Sequence, residues 1–198
     1  MRTRDESKEQ TLRQKAIEMI VKDGFDGLSM QKLAKSAGIS PATIYIYYKD
    51  RDDLILQLSA EASKKMAEAT LKNFDPDMHF DEGLKVQWMN RAKYCMKNPL
   101  QMHFLEQIRY SPFHDKAYKM ADTSFITAMK QFVSNAIERK ELIKLPVEVY
   151  WSVAFAPLYQ LVKFHMSGRG MPGSSARFIL DEKTIDLSLS LVLKALKP

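Results

Sequence analysis

Thr43, Tyr45, Tyr47 and Lys49 crowd one short stretch of this chain, with Ser40 and Ala42 just ahead of them and Ser29 upstream. Hydroxyls and an ammonium donate hydrogen bonds to phosphate oxygens, and a residue as small as Ala42 permits close approach. The chemistry this implies is binding rather than bond breaking. No nucleophile motif, phosphate loop or dinucleotide fingerprint occurs, so neither a catalytic residue nor a cofactor is expected. His79, His103, His114 and His165 include no pair at the i,i+4 spacing of a helical zinc site, and no metal is expected. His103 and Glu106 are three apart and read as a surface or pocket hydrogen bond. Cys95 lies on an apolar helix face and reads as a small buried hydrophobe.

Two short helices joined by a tight turn would position the first group. Ser29 caps the first helix, whose apolar stripe is Leu33, Ala34 and Ala37. Gly38 supplies the positive φ that ends it. Ser40 caps the second helix, and Pro41 takes the first helical position, where a missing N–H costs nothing. The second helix carries Thr43, Tyr45 and Tyr47, is too small to hold a core, and fits the major groove of DNA. Asp50 and Asp53 then form a capping box for a long third helix.

The run Ser29, Leu33-Ala34, Ala37-Gly38-Ile39-Ser40, Ala42-Thr43-Ile44-Tyr45, Tyr47-Tyr48-Lys49 and Asp53-Leu54 resembles the TetR family of bacterial one-component transcriptional regulators. The likeness covers roughly the first third of the chain. Tyr48 stands where the family usually has Phe, and Arg51 where Lys is common. The resemblance implies phosphate contacts for Thr43, Tyr47 and Lys49, with Ala42 and Tyr45 nearer the base edges. Ser29 and Ser40 complete the expected DNA-binding set, and Tyr48 is expected in the core. The resemblance also implies a palindromic double-stranded operator, a small-molecule effector bound in the remainder of the chain, and dimerisation through the last two helices.

The 198 residues suffice for one sizeable core or two small domains. Hydrophobic residues make up 45% and charged residues 27%, and glycine is scarce, which favours helices over a β-rich fold. No apolar run is long enough to span a bilayer, and the charged start Met1-Arg-Thr-Arg has no apolar signal region, so no membrane partner is expected. A single cysteine suits a reducing cytoplasm. The net charge of +6 is not concentrated in the head, where ten Lys and Arg meet nine Asp and Glu up to residue 55. Placement matters more: Arg2, Arg4 and Lys8 precede the first helix and Lys49 ends the recognition helix.

Helical periodicity predicts an all-α chain of about nine helices. A first helix spans roughly 6–22, and the long third helix of the head reaches about residue 71. Body helices follow over about 81–96, 99–109, 115–140, 147–167 and 182–196. The expected division is a three-helix DNA-binding head over 1–54 and an effector-binding and dimerisation body over 55–198. Residues 168–175 form the clearest loop.

Met and aromatic residues enrich the body, and such a mixture suits a cavity for an apolar ligand as well as a plain core. Pro157 interrupts a helical run beside Trp151 and Phe155. The expected effector face is Met102, Tyr110, Phe125, Trp151, Phe155 and Tyr159. The last two helices are apolar on more than one face. A partner subunit would cover the excess, giving a homodimer with Tyr150, Leu161, Leu189, Val192 and Leu196 in the seam. The alternative is a pair buried within one subunit. The expected function is a ligand-responsive regulator, a repressor released from its operator by a small hydrophobic effector. Its rivals are a constitutive DNA-binding regulator and a helical enzyme.

Overall fold

A computed structural model describes residues 6–169 and 177–198. Arg2, Arg4 and most of the expected loop over 168–175 lie outside the described residues. Among those described there are ten helices and no strand: α1 Glu6–Gly27, α2 Met30–Ala37, α3 Pro41–Ile44, α4 Arg51–Thr70, α5 Phe80–Lys97, α6 Pro99–Arg109, α7 His114–Met120, α8 Ser124–Glu138, α9 Val147–Ser167 and α10 Glu182–Leu196. The fold class is all-α.

Three helices depart from expectation. In α1 the helical path is broken at Gly24, with φ 73° and ψ 178°, and one further turn follows. The predicted helix over 115–140 is two helices. Ala121 turns extended, with ψ 146°, which ends α7, and helix resumes only at Ser124. The recognition helix is shorter than expected: α3 ends at Ile44, and Tyr45 to Tyr47 continue as a turn.

The chain forms two compact units. The first holds Met1–Lys65 with Leu100–Asp122, and the second holds Met66–Pro99 with Thr123–Pro198. The helix-turn-helix thus shares its unit with α6 and α7, and α4 runs from one unit into the other. These packing units do not follow the functional division expected at residue 54.

In the first unit Leu12, Ile20, Leu28, Leu33, Ile44, Tyr48, Leu54 and Phe104 form one core. In the second, α5 packs against α8, α9 and α10. Phe80, Leu84, Trp88, Phe132, Phe155, Leu158 and Leu196 are among its buried side chains. α9 continues through Pro157, which has no N–H to give to the Val153 carbonyl. One residue on, the Ala154 carbonyl accepts from Trp88 Nε1 at 2.8 Å.

Candidate nucleic-acid interface and effector body

The turn between α2 and α3 is built by local hydrogen bonding. Ser29 Oγ accepts from the Lys32 N–H at 3.2 Å and caps α2. Gly38, at φ 67°, ends α2, while the Ile39 N–H reaches back to the Ala34 carbonyl at 3.0 Å. Ser40 holds the N-cap position of α3 but makes no cap hydrogen bond with its side chain. Its hydroxyl lies 2.9 Å from that of Thr43 instead. The box after α3 closes: the Asp53 N–H donates to Asp50 Oδ1 at 2.8 Å, and Asp53 Oδ2 accepts from the Lys49 N–H at 2.9 Å. The second bond holds the backbone of the lysine expected to meet phosphate.

The head is also tied from within. Arg13 donates through Nε to Tyr48 Oη at 3.0 Å and pairs with Glu9 and Glu61. Arg51 donates to the carbonyls of Leu28 and Phe25, holding the chain that enters α2. Burial alone would raise the Glu61 carboxyl, but Lys65 and Arg13 outweigh it and hold the group below its usual value of 4.5. Burial pushes the Tyr48 phenol up.

The expected DNA-binding residues divide by exposure. Ser40, Ala42 and Lys49 are exposed, Tyr45 is 56% exposed, and Ser29 and Thr43 are half-buried. Tyr47 is not on that surface. Only 7% of it is exposed, and its ring lies 6.4 Å from that of Tyr48, so it packs with the core of the head. Ile46 takes the outward place, at 46% exposure. Tyr45 to Tyr47 lie in the turn that follows α3. Lys32 and Lys35 are exposed on α2, three apart and so on one side of it. Sequence reasoning passed over them, although their spacing beside the apolar stripe was visible.

In the second unit Phe125, Trp151, Phe155 and Tyr159 of the expected effector face come together around Arg91. The Arg91 guanidinium lies 4.4 Å from the Phe155 ring, 5.0 Å from Phe125 and 5.2 Å from Trp151. Its Nη1 donates to Tyr159 Oη at 2.7 Å, and its Nη2 lies 3.3 Å from Gln87 Oε1. Met102 and Tyr110 belong to the other unit. Tyr110 is 82% exposed and lines an open cleft there with Val21, Phe25, His103 and Gln107. The six residues are therefore not one face of one unit. Cys95 is buried, and burial pushes its thiol up to about 11, so it is no nucleophile at neutral pH.

The expected seam is inverted on α10. Leu189, Val192 and Leu196 are buried inside the subunit, as is Tyr150 on α9, while Leu161 is half-buried. The residues that pack on α9 and α5 are already covered and present nothing outward. Val147 of α9 is 67% exposed, and Leu187 and Leu191 of α10 are 63% and 59% exposed. Val149 of α9 is exposed as well, at 44%.

Among the described residues no cluster of His, Cys, Asp or Glu suits a metal, and no helix is long and apolar enough to cross a membrane. The family described as bacterial regulatory proteins, tetR family, matches residues 12–58. An uncharacterized HTH-type transcriptional regulator of Haemophilus influenzae is 31% identical over 94 residues, 48% of this chain and 50% of that protein. The chain thus spans half the length of that relative. A TetR family transcription regulator from Marinobacter aquaeolei has the same fold at a TM-score of 0.77, with 27% identity over 100% of this chain and 99% of that one. A TetR-family regulator structure from Haemophilus influenzae matches at 0.75 over 98% of each chain. At 21% identity it speaks for the fold alone. These relatives are described as transcription regulators rather than enzymes, and with α1 to α4 built on the matched residues the chain carries a DNA-binding segment like that of the TetR family and shares the fold of TetR regulators over its length.

Proposed function

We propose that the protein is a dimeric transcription regulator that binds a palindromic operator through its head and senses a small hydrophobic effector through its body. The observation that carries the DNA reading is the surface left open by α3 and the turn after it. Ala42, Tyr45, Ile46 and Lys49 are presented there, while Tyr47 and Tyr48 anchor the same segment from inside. Lys49 and the α2 lysines, Lys32 and Lys35, act on phosphates. Ala42 and Tyr45 approach base edges, Thr43 contributes its hydroxyl, and Ile46 adds an apolar contact of the kind thymine methyls offer. The open apolar side chains of Leu187 and Leu191 on α10 and of Val147 on α9 support a two-fold pairing of these helices, which would set two heads at half-sites about one helical turn apart or a multiple of it.

Effector binding in the body and release of the operator are part of the same reading. A helical body with its aromatic residues gathered around one buried cation supports it. A cytoplasmic setting follows from the target.

Selection of bound duplexes from random DNA tests the proposal. Enrichment of a two-fold-symmetric sequence is expected. Lys49→Ala should weaken all duplexes alike and reduce the slope of log affinity against log salt by about one phosphate contact. Ala42 and Tyr45 variants should change the enriched sequence. Enrichment of no sequence by the wild-type protein would overturn operator recognition.

A further inference from the structure

We infer that Arg91 and Tyr150 form a receptor for the carboxylate of an amphiphilic organic acid, whose apolar remainder packs on Phe125, Trp151 and Phe155. This rests on the effector-sensing reading of the body and names the chemistry of the effector.

Arg91 sits in the middle of α5 and is 2% exposed. A guanidinium keeps its charge in a protein interior and carries five N–H donors. Here it meets no carboxylate among the described residues. The acceptors it meets, Tyr159 Oη and Gln87 Oε1, are neutral, and Nε has no hydrogen-bond partner. Three aromatic faces offset the charge in part but accept none of its hydrogen bonds. A buried cation in this state is costly, and buried donors are otherwise nearly always satisfied.

A second orphan lies close by. Tyr150 is 4% exposed and its hydroxyl has no partner. Its ring is 6.4 Å from that of Phe155, the same ring that stacks under Arg91. Burial pushes its phenol far up and the Arg91 charge opposes that, so the two groups share one local field. What both lack is an acceptor. One carboxylate has two oxygens, one for Nε–H and one for the phenol O–H, and its single negative charge balances the single guanidinium. A doubly charged phosphate would leave a net charge in the same apolar surroundings. Phe125 and Trp151 are half-buried, so two of the three rings around the cation reach the surface and offer an apolar seat for the rest of the acid, with the buried Phe155 at its base.

Decanoate, decanol and decylamine, titrated against the full chain, test this. Tryptophan fluorescence and the melting temperature are the readouts, since Trp151 borders Arg91 and a ligand of the native state raises Tm. Decanoate should bind, decanol should bind about tenfold more weakly or worse, and decylamine should not bind. Tyr150→Phe should weaken decanoate and leave decanol unchanged. Arg91→Met should erase the preference for the acid without lowering the ligand-free Tm, because it removes an uncompensated charge and keeps an apolar side chain. A purely structural Arg91 would instead lower that Tm and leave the preference intact. If Arg91→Met does not fold, Tyr150→Phe and the wild-type comparison decide. Equal affinity for decanoate and decanol overturns the receptor, and so does binding by none of the three. Neither result removes effector sensing, which fails separately if no body-bound apolar compound changes operator affinity.

Discussion

Gly83 in α5 is a small residue held by a large one. A Cβ there would lie 2.4 Å from Phe132 Cε2, and Phe132 is fully buried between Phe74 and Phe80. Alanine gains about 1 kcal/mol in helix propensity, while overpacking a core costs about 1–3 kcal/mol. The ring has nowhere to retreat, so the second effect wins. Gly83→Ala should lower the urea midpoint, and adding Phe132→Leu should restore part of the loss. Glu61 gives a second residue-scale prediction, in pH. Its carboxyl is held below 4.5 in the folded state, so its stabilisation is present above that value and is lost as pH falls through the folded pKa. Between pH 7 and pH 4 the urea midpoint of Glu61→Gln should therefore fall less than that of the wild type. An equal fall would show that the Arg13 pairing contributes nothing. At this scale the sequence was readable where a role is local. The Ser29 cap, the Gly38 stop and the Asp50–Asp53 box all form. Arg91 was not readable, because a lone arginine in a helix is usually a surface residue, and only packing reveals that three rings close over it.

The spans of α4, α5, α6, α9 and α10 were legible, because apolar periodicity marks each helix and Pro, Gly, Asn and Asp residues punctuate most of their ends. Two things were not. Periodicity continued past residues 121–124 and hid the break between α7 and α8, where Ala121 leaves the helical path. On α10 two apolar stripes were visible, but which one the subunit covers is decided by α5 and α9, not by α10 itself. The same override turned Tyr47 inward. The two faces of α10 separate cleanly by mutation. Leu189→Ala removes a side chain that is 3% exposed and should cost about 2–5 kcal/mol of folding stability. Leu191→Glu changes one that is 59% exposed and should leave the monomer fold intact by circular dichroism. If α10 pairs with a second copy through its open stripe, light scattering of Leu191→Glu should show a monomer where the wild type is a dimer. A dimer in both proteins would move the interface elsewhere.

At the scale of the whole chain, α4 is continuous from Arg51 to Thr70 while the boundary between compact units falls inside it, after Lys65. One helix therefore carries residues of the first unit at one end and of the second at the other. Coupling between the two sites needs an element whose state both can bias, and α4 is the candidate. Thermodynamics constrains the outcome more tightly than any path does. If the effector weakens operator binding by a given factor, the operator must weaken effector binding by the same factor. A tight ligand with equal affinity for the free and DNA-bound dimer would release nothing. Titrating an effector into protein alone and into protein saturated with its operator duplex measures this directly. Interrupting the shared helix should then reduce the factor without abolishing either site. Ala67→Gly is suited to that, since it costs about 1 kcal/mol of local helix stability and lies beyond the head's part of α4. The expected result is near-normal affinity for each ligand measured alone and a smaller ratio between the two titrations. An unchanged ratio in Ala67→Gly would remove α4 from the coupling, and a ratio of one in the wild type would make the protein a constitutive binder.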